Sequence, residues 1–217
     1  MNESSLYCLL SEWGNDFNLI LKNLLKMVLQ TRTFGVELGC EPKHVHFAQF
    51  LCWKFYIIKG LEKYSPEISI PLFYQILQRD YHLSPKVNIG SYIELKRHIS
   101  NNNTATDELL KIIEENGFHH NLSHPTEHLH KFITSQFTEK DIAYARYFIS
   151  SSFSMPCCIL YSSETIAEGS AILTAALNGN KESVIPRTIK ALSYINDFKR
   201  FTEEQKSNKA LISPISN

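Results

Sequence analysis

Apolar residues recur along this chain at three- and four-residue spacing, in segments of roughly 12 to 20 residues separated by isolated turn residues, which predicts helices. Between Asn15 and Gly39, Phe17, Leu19, Ile20, Leu21, Leu24, Leu25, Val28 and Leu29 form a wide apolar stripe, and Gly39 suits a left-handed stop. From Lys43 to Lys59, the run Val45, Phe47, Ala48, Phe50, Leu51, Cys52, Trp53, Phe55, Tyr56, Ile57 and Ile58 leaves little polar face, so this helix is expected to be central and surrounded. A third helix opens at Tyr64-Ser65-Pro66-Glu67. There Ser65 can cap free N–H groups, Pro66 suits the first helical position and Glu67 complements the positive end of the dipole. Almost no strand is expected.

The same start recurs at Tyr161-Ser162-Ser163-Glu164: Tyr64 and Tyr161 stand 97 residues apart, as do Glu67 and Glu164. At that spacing Lys43 meets Lys140, Val45 meets Ile142, Phe47 meets Tyr144, Ala48 meets Ala145, Phe50 meets Tyr147 and Leu51 meets Phe148. A small alanine among aromatics allows close helix approach, and its presence in both copies points to a duplicated bundle. The second copy is expected from Ser123 to about Phe201, with helices near Pro125–Ser135, Glu139–Ser152, Ser163–Leu177 and Pro186–Phe201. Thr138 is the expected N-cap of the second of these, and Asn178-Gly179-Asn180 the stop of the third. A polar loop, Ser100 to Thr104, and a helical stretch, Asp107–Glu115, lie between the copies. After about Thr202 the tail reads as loose.

Composition narrows the function. The 217 residues carry 22 Lys+Arg against 22 Asp+Glu, so no net field favours nucleic acid or an acidic membrane, and a partner is expected to be recognised by shape. Five cysteines, Cys8, Cys40, Cys52, Cys157 and Cys158, form an odd set without paired metal spacing, which fits a reducing intracellular setting. No apolar run approaches the ~20 residues of a membrane span, and Met1-Asn2-Glu3-Ser4 lacks the regions of a signal peptide. The matches to the glycosylation sequon at Asn102 and Asn121 carry no meaning in such a setting.

In residue detail several segments resemble the cyclin box, most closely that of the transcriptional cyclins of T, K and L type. Gly35-Val36-Glu37-Leu38-Gly39-Cys40 is similar to the family's "G-x-x-L-G-h". Phe47-Ala48 through Trp53-Lys54-Phe55-Tyr56 resembles "A-x-x-h-x-h-R-F-h", with Lys54 at the usual arginine. Asn116-Gly117-Phe118 followed by Leu122-Ser123-His124-Pro125 resembles the "L-G-F-x-h-x-h-x-H-P" that closes one box and opens the next. Cys158-Ile159-Leu160-Tyr161-Ser162, Ile166-Ala167 and Ala171-Ile172-Leu173 are similar to "C-L-x-Y-P-P-x-x-I-A-x-A-x-I-x-L-A". The resemblance covers roughly residues 17 to 200.

It implies an all-α fold of two tandem cyclin-box bundles, each of about five helices. The divisions would be an N-terminal extension over 1–16, boxes over 17–121 and 122–201, and a flexible tail over 202–217. The implied function is that of a nuclear regulatory subunit, itself without catalytic residues, cofactor or metal. It would bind and activate a cyclin-dependent kinase, of the type that phosphorylates the C-terminal repeats of RNA polymerase II. No direct contact with nucleic acid or membrane is implied. The family's kinase-contacting lysine has no counterpart at the end of the third helix; Arg79 supplies a cation one position away and Asp80 an acid. The family's glutamate position falls on Leu109, with Glu108 beside it. Arg79, Asp80 and Glu108 are thus the candidate kinase contacts. A degenerate cyclin-fold adaptor that binds partners without activating a kinase is the second reading.

Other chemistry is less well framed. His124-Pro125-Thr126-Glu127-His128 matches the H-x-x-E-H of some zinc peptidases. Pro125 at the first helical position, however, would make His124 a cap outside the helix, so the imidazoles would not form an i, i+4 pair. His119, His120 and His130 lie nearby and read as a solvated loop. Gly35, Gly39 and Gly60 read as isolated helix-end glycines rather than a phosphate loop, and Ser150-Ser151-Ser152 as a turn. DNA-bridging factors built on the same double bundle should carry a basic face and a Cys-x-x-Cys zinc ribbon, whereas this chain is neutral overall and has no Cys-x-x-Cys pair.

Overall fold

A computed structural model describes residues 17–59, 64–81, 111, 123–179 and 188–212. Every regular element among them is helical, so the protein is all-α. The chain divides into two compact units, Met1–Leu122 and Ser123–Asn217.

The described part of the first unit holds α1 (Phe17–Glu37), α2 (Pro42–Lys59) and α3 (Pro66–Tyr81), each packed against the other two. Helix α1 ends in a Schellman motif. Gly39 adopts φ 69°, its N–H donates to the carbonyl of Val36 (2.9 Å) and the N–H of Cys40 donates to Gly35 (2.9 Å). Helix α2 is surrounded as its sequence predicts: Val45, Phe47, Ala48, Leu51, Cys52, Trp53, Phe55, Tyr56 and Ile57 are all buried. Helix α3 begins at the expected cap, with Glu67 N–H donating to Ser65 Oγ (3.3 Å). Its start is held by α2, because Tyr56 donates to the carbonyl of Tyr64 (3.2 Å) and shares a hydrogen bond with Ser69.

In α1 the stripe facing the core is narrower than the sequence suggests. Leu21, Leu24, Val28, Thr31, Gly35 and Leu38 point inward, whereas Leu19 and Leu29 are exposed and Leu25 is half-buried. A second correction concerns Gly35. It lies inside α1, and a Cβ there would stand 2.1 Å from Tyr74 Oη and 2.9 Å from Val45 Cγ2. Its role is close packing, not helix termination. Tyr74 uses that space to donate to the carbonyl of Thr31 (2.8 Å).

The second unit runs through α4 (Pro125–His128), a 3₁₀ turn (Leu129–Lys131), α5 (Glu139–Phe153), α6 (Cys157–Leu160), α7 (Ser163–Leu177) and α8 (Ile189–Ile212). Here α7 is the surrounded helix, packing on α4, α5, α6 and α8, with every residue from Thr165 to Ile172 buried. Thr138 caps α5 through a reciprocal box with Asp141, and Ser162 caps α7 through Thr165 N–H (3.2 Å). Helix α7 stops at Asn178 and Gly179, the latter at φ 69°.

The 97-residue spacing holds for helix starts, since Pro42 and Glu139 open α2 and α5, and Pro66 and Ser163 open α3 and α7. Burial follows it only in part. Ala48 and Ala145 are both fully buried, but Tyr144 and Tyr147 are exposed where Phe47 is buried and Phe50 is half-buried. Three boundaries also differ. The helix expected over Pro125–Ser135 narrows to a 3₁₀ turn after His128. The short α6 follows Pro156 without a side-chain cap. Helix α8 continues to Ile212, past Thr202, through the strong helix formers Glu203, Glu204, Gln205 and Lys206.

Candidate functional site

The resemblance directs attention to the end of α3. Aromatic contacts fix that helix on its inner side: Phe73 packs edge-on to Phe55 (5.7 Å between centroids) and Tyr74 lies against Phe34 (5.5 Å). Residues 70–74, 76 and 77 are buried, while Gln75 and Gln78 are half-buried on the remaining face. Arg79 lies one helical turn beyond Gln75, on the same side of α3 by its i, i+4 spacing. Asp80 follows it in the last turn, and both belong to the helix although their side chains lie outside the described residues. Glu108 also lies outside the described residues, as do His119 and His120. Gln75 Oε1 is buried without a hydrogen-bond partner among the described residues.

The histidine segment opening the second unit is structural at both ends. His124 has extended backbone (φ −90°, ψ 136°), is 3% exposed, and stacks on Phe153 (5.4 Å, 5° between planes). Its Nδ1 accepts from the N–H of Thr126 (3.3 Å), so it is the N-cap and Pro125 the first helical residue, as expected. His128 Nε2 lies 2.8 Å from Ser123 Oγ, which also donates to Glu127 Oε2 (3.3 Å). The two imidazoles are thus engaged with different partners. Among the described residues no group of three His, Cys, Asp or Glu side chains is arranged to hold a metal ion.

Reactive groups are withdrawn from water. Burial pushes the Cys52 thiol up to about 12 and the Cys157 thiol higher still, so neither provides thiolate near neutral pH. The phenols of Tyr56, Tyr74 and Tyr194 are raised by burial in the same way. Buried Glu168 of α7 accepts from Thr188 N–H (2.8 Å) and Thr188 Oγ1 (2.8 Å), while Thr188 Oγ1 accepts from Ala191 N–H (3.1 Å). The Glu168 carboxylate therefore anchors the start of α8. Tyr161 donates to Asp197 (2.6 Å), which also pairs with Arg200 (3.2 Å), tying the start of α7 to the middle of α8.

Two aromatic side chains of the second unit face outward. On α5, Tyr144 is 37% and Tyr147 is 65% exposed, with Lys140 Nζ 5.9 Å from the Tyr144 ring centroid. The 97-residue spacing sets the two tyrosines opposite Phe47 and Phe50 of α2, and the exchange of phenylalanine for tyrosine at both positions suits their exposure, since a phenol tolerates water at its tip. Compared with known proteins, the chain matches no family model and no curated protein at a significant level. No described helix is long and apolar enough to cross a membrane.

Proposed function

We propose that this chain is a cyclin-type regulatory subunit, which binds a cyclin-dependent protein kinase and stabilises its active conformation. The observation that carries this reading is the paired helix start, at Pro66 and Ser163, within segments whose residues resemble two successive cyclin boxes. The buried thiols, phenols and Glu168 agree with a protein whose polar interior holds helices together. In the proposed complex the first unit packs on the regulatory helix of the kinase small lobe. That contact holds the kinase Lys–Glu pair and magnesium-binding loop in their active arrangement. Affinity comes from buried apolar surface with a polar rim, and activation from preference for one kinase conformation. The expected substrate is the repeat tail of RNA polymerase II, and the expected compartment the nucleus.

Association with purified cyclin-dependent kinases tests the binding step. Arg79→Glu, Asp80→Lys and Glu108→Lys should each weaken capture of the cognate kinase by about tenfold or more, because reversing a charge sets like charges against each other across the interface, at a cost of several kcal/mol. Capture indifferent to all three, with helix content unchanged, would remove these residues from the interface. The second reading, a degenerate cyclin-fold adaptor or scaffold, binds partners without activating a kinase, so any kinase that it captures should keep its activity unchanged.

A further inference from the structure

Helix α1 carries more apolar surface than its unit consumes. Its inward stripe, Leu21, Leu24, Val28, Thr31, Gly35 and Leu38, already meets α2 and α3. A second seam runs along its outer side through half-buried Leu25, Leu29 (49% exposed) and Val36 (65% exposed). These positions follow i, i+4 and i+11 spacing and lie on one face. Lys22 and Lys26 border the seam on one side and Arg32 on the other; all three are exposed. None of the three forms an ion pair among the described residues, and the sole acid in α1, Glu37, ends the helix. Over about 20 Å of helix an apolar line is therefore edged by three cations, with the single acid Glu37 at its C-terminal end.

We infer that this outer face of α1 docks an acidic amphipathic helix of a partner protein, its apolar residues on Leu25, Leu29 and Val36 and its carboxylates on Lys22, Lys26 and Arg32. Charge complementarity selects this occupant. A second copy of the chain, docking the same face on itself, would bring cations of one sign together within a Debye length. An anionic membrane would require a broad apolar face, and the broad face of α1 is already turned into the core. A seam of three aliphatic residues with a charged rim matches helix-in-groove recognition. The inference concerns a different helix from α3 and stands without the kinase reading.

The test uses the full chain and a fluorescent, helix-forming peptide of about four turns, with leucines at i, i+4, i+7 and i+11 and glutamates on both flanks. A control peptide carries lysine at every glutamate. Anisotropy titrations should give at least about tenfold tighter binding for the acidic peptide, weakening as salt rises. Lys22→Glu/Lys26→Glu/Arg32→Glu should reverse the preference, and Leu29→Ala/Val36→Ala should weaken both peptides. These positions are exposed or border the seam, and circular dichroism verifies that each variant keeps its fold. Equal affinity for the two peptides, or a charge-reversed variant that binds like the original, overturns the inference. So does uptake by phosphatidylserine vesicles without peptide binding, or self-association that the charge reversal abolishes.

Discussion

Two glycines among the described residues each lie beneath a tyrosine ring, with no room for a side chain. A Cβ on Gly169 would stand 2.2 Å from Tyr194 Cδ1, and one on Gly35 would stand 2.1 Å from Tyr74 Oη. Gly35→Ala and Gly169→Ala should therefore each cost about 1–3 kcal/mol, the range for an overpacked interior, measured by urea denaturation. The obstructing atoms differ, so the double mutants should also differ. Tyr74→Phe removes the nearest atom and should relieve part of the Gly35→Ala cost, whereas Tyr194→Phe leaves Cδ1 in place and should relieve none for Gly169→Ala. Glu168→Ala should cost about 1–3 kcal/mol, because it removes the acceptor of Thr188 and leaves polar groups at the start of α8 unpaired. None of these roles was legible from the chain. Tyr74 lies 39 residues from Gly35, and Tyr194 lies 25 from Gly169, so only the assembled packing brings them together.

At the scale of elements, helix starts were legible because caps are local. Ser65, His124, Thr138 and Ser162 each cap the helix that their sequence predicts. Thr138→Ala should destabilise the protein by about 1 kcal/mol. The backbone N–H and hydroxyl of Thr138 hold the Asp141 carboxyl below the usual aspartate range, and Lys131 does the same for Glu164. Both groups bind protons less readily when folded. Their contribution is thus present above the unfolded-state values and lost as pH falls through the depressed ones. Asp141→Asn should flatten the acid end of a stability–pH curve and leave its neutral region nearly level. Which face of a helix turns inward was less legible, because it depends on the neighbours. The stripe of α1 is wider than the side that α2 and α3 cover, and α5 keeps the aromatic pattern of α2 while turning Tyr144 and Tyr147 to solvent. The end of α4 was overextended because its narrowing to 3₁₀ geometry follows no local stop residue.

For the whole molecule, the balance of 22 cations against 22 anions and the all-helical build agree with a partner-binding protein whose affinity depends on local surfaces. The candidate site was legible only as far as its helix. The end of α3 carries Arg79 and Asp80 in one turn, while Glu108 depends on a segment outside the described residues. Far-ultraviolet circular dichroism should be dominated by helix. The proposed function is decided most directly by kinase assay: the phosphorylation rate of a polymerase-tail repeat peptide by the captured kinase, with and without this chain at saturating concentration. A cyclin-type regulator should raise that rate by at least about tenfold, as expected when binding moves a mostly inactive kinase population to the active state. A stable complex with an unchanged rate would contradict activation and leave a cyclin-fold adaptor.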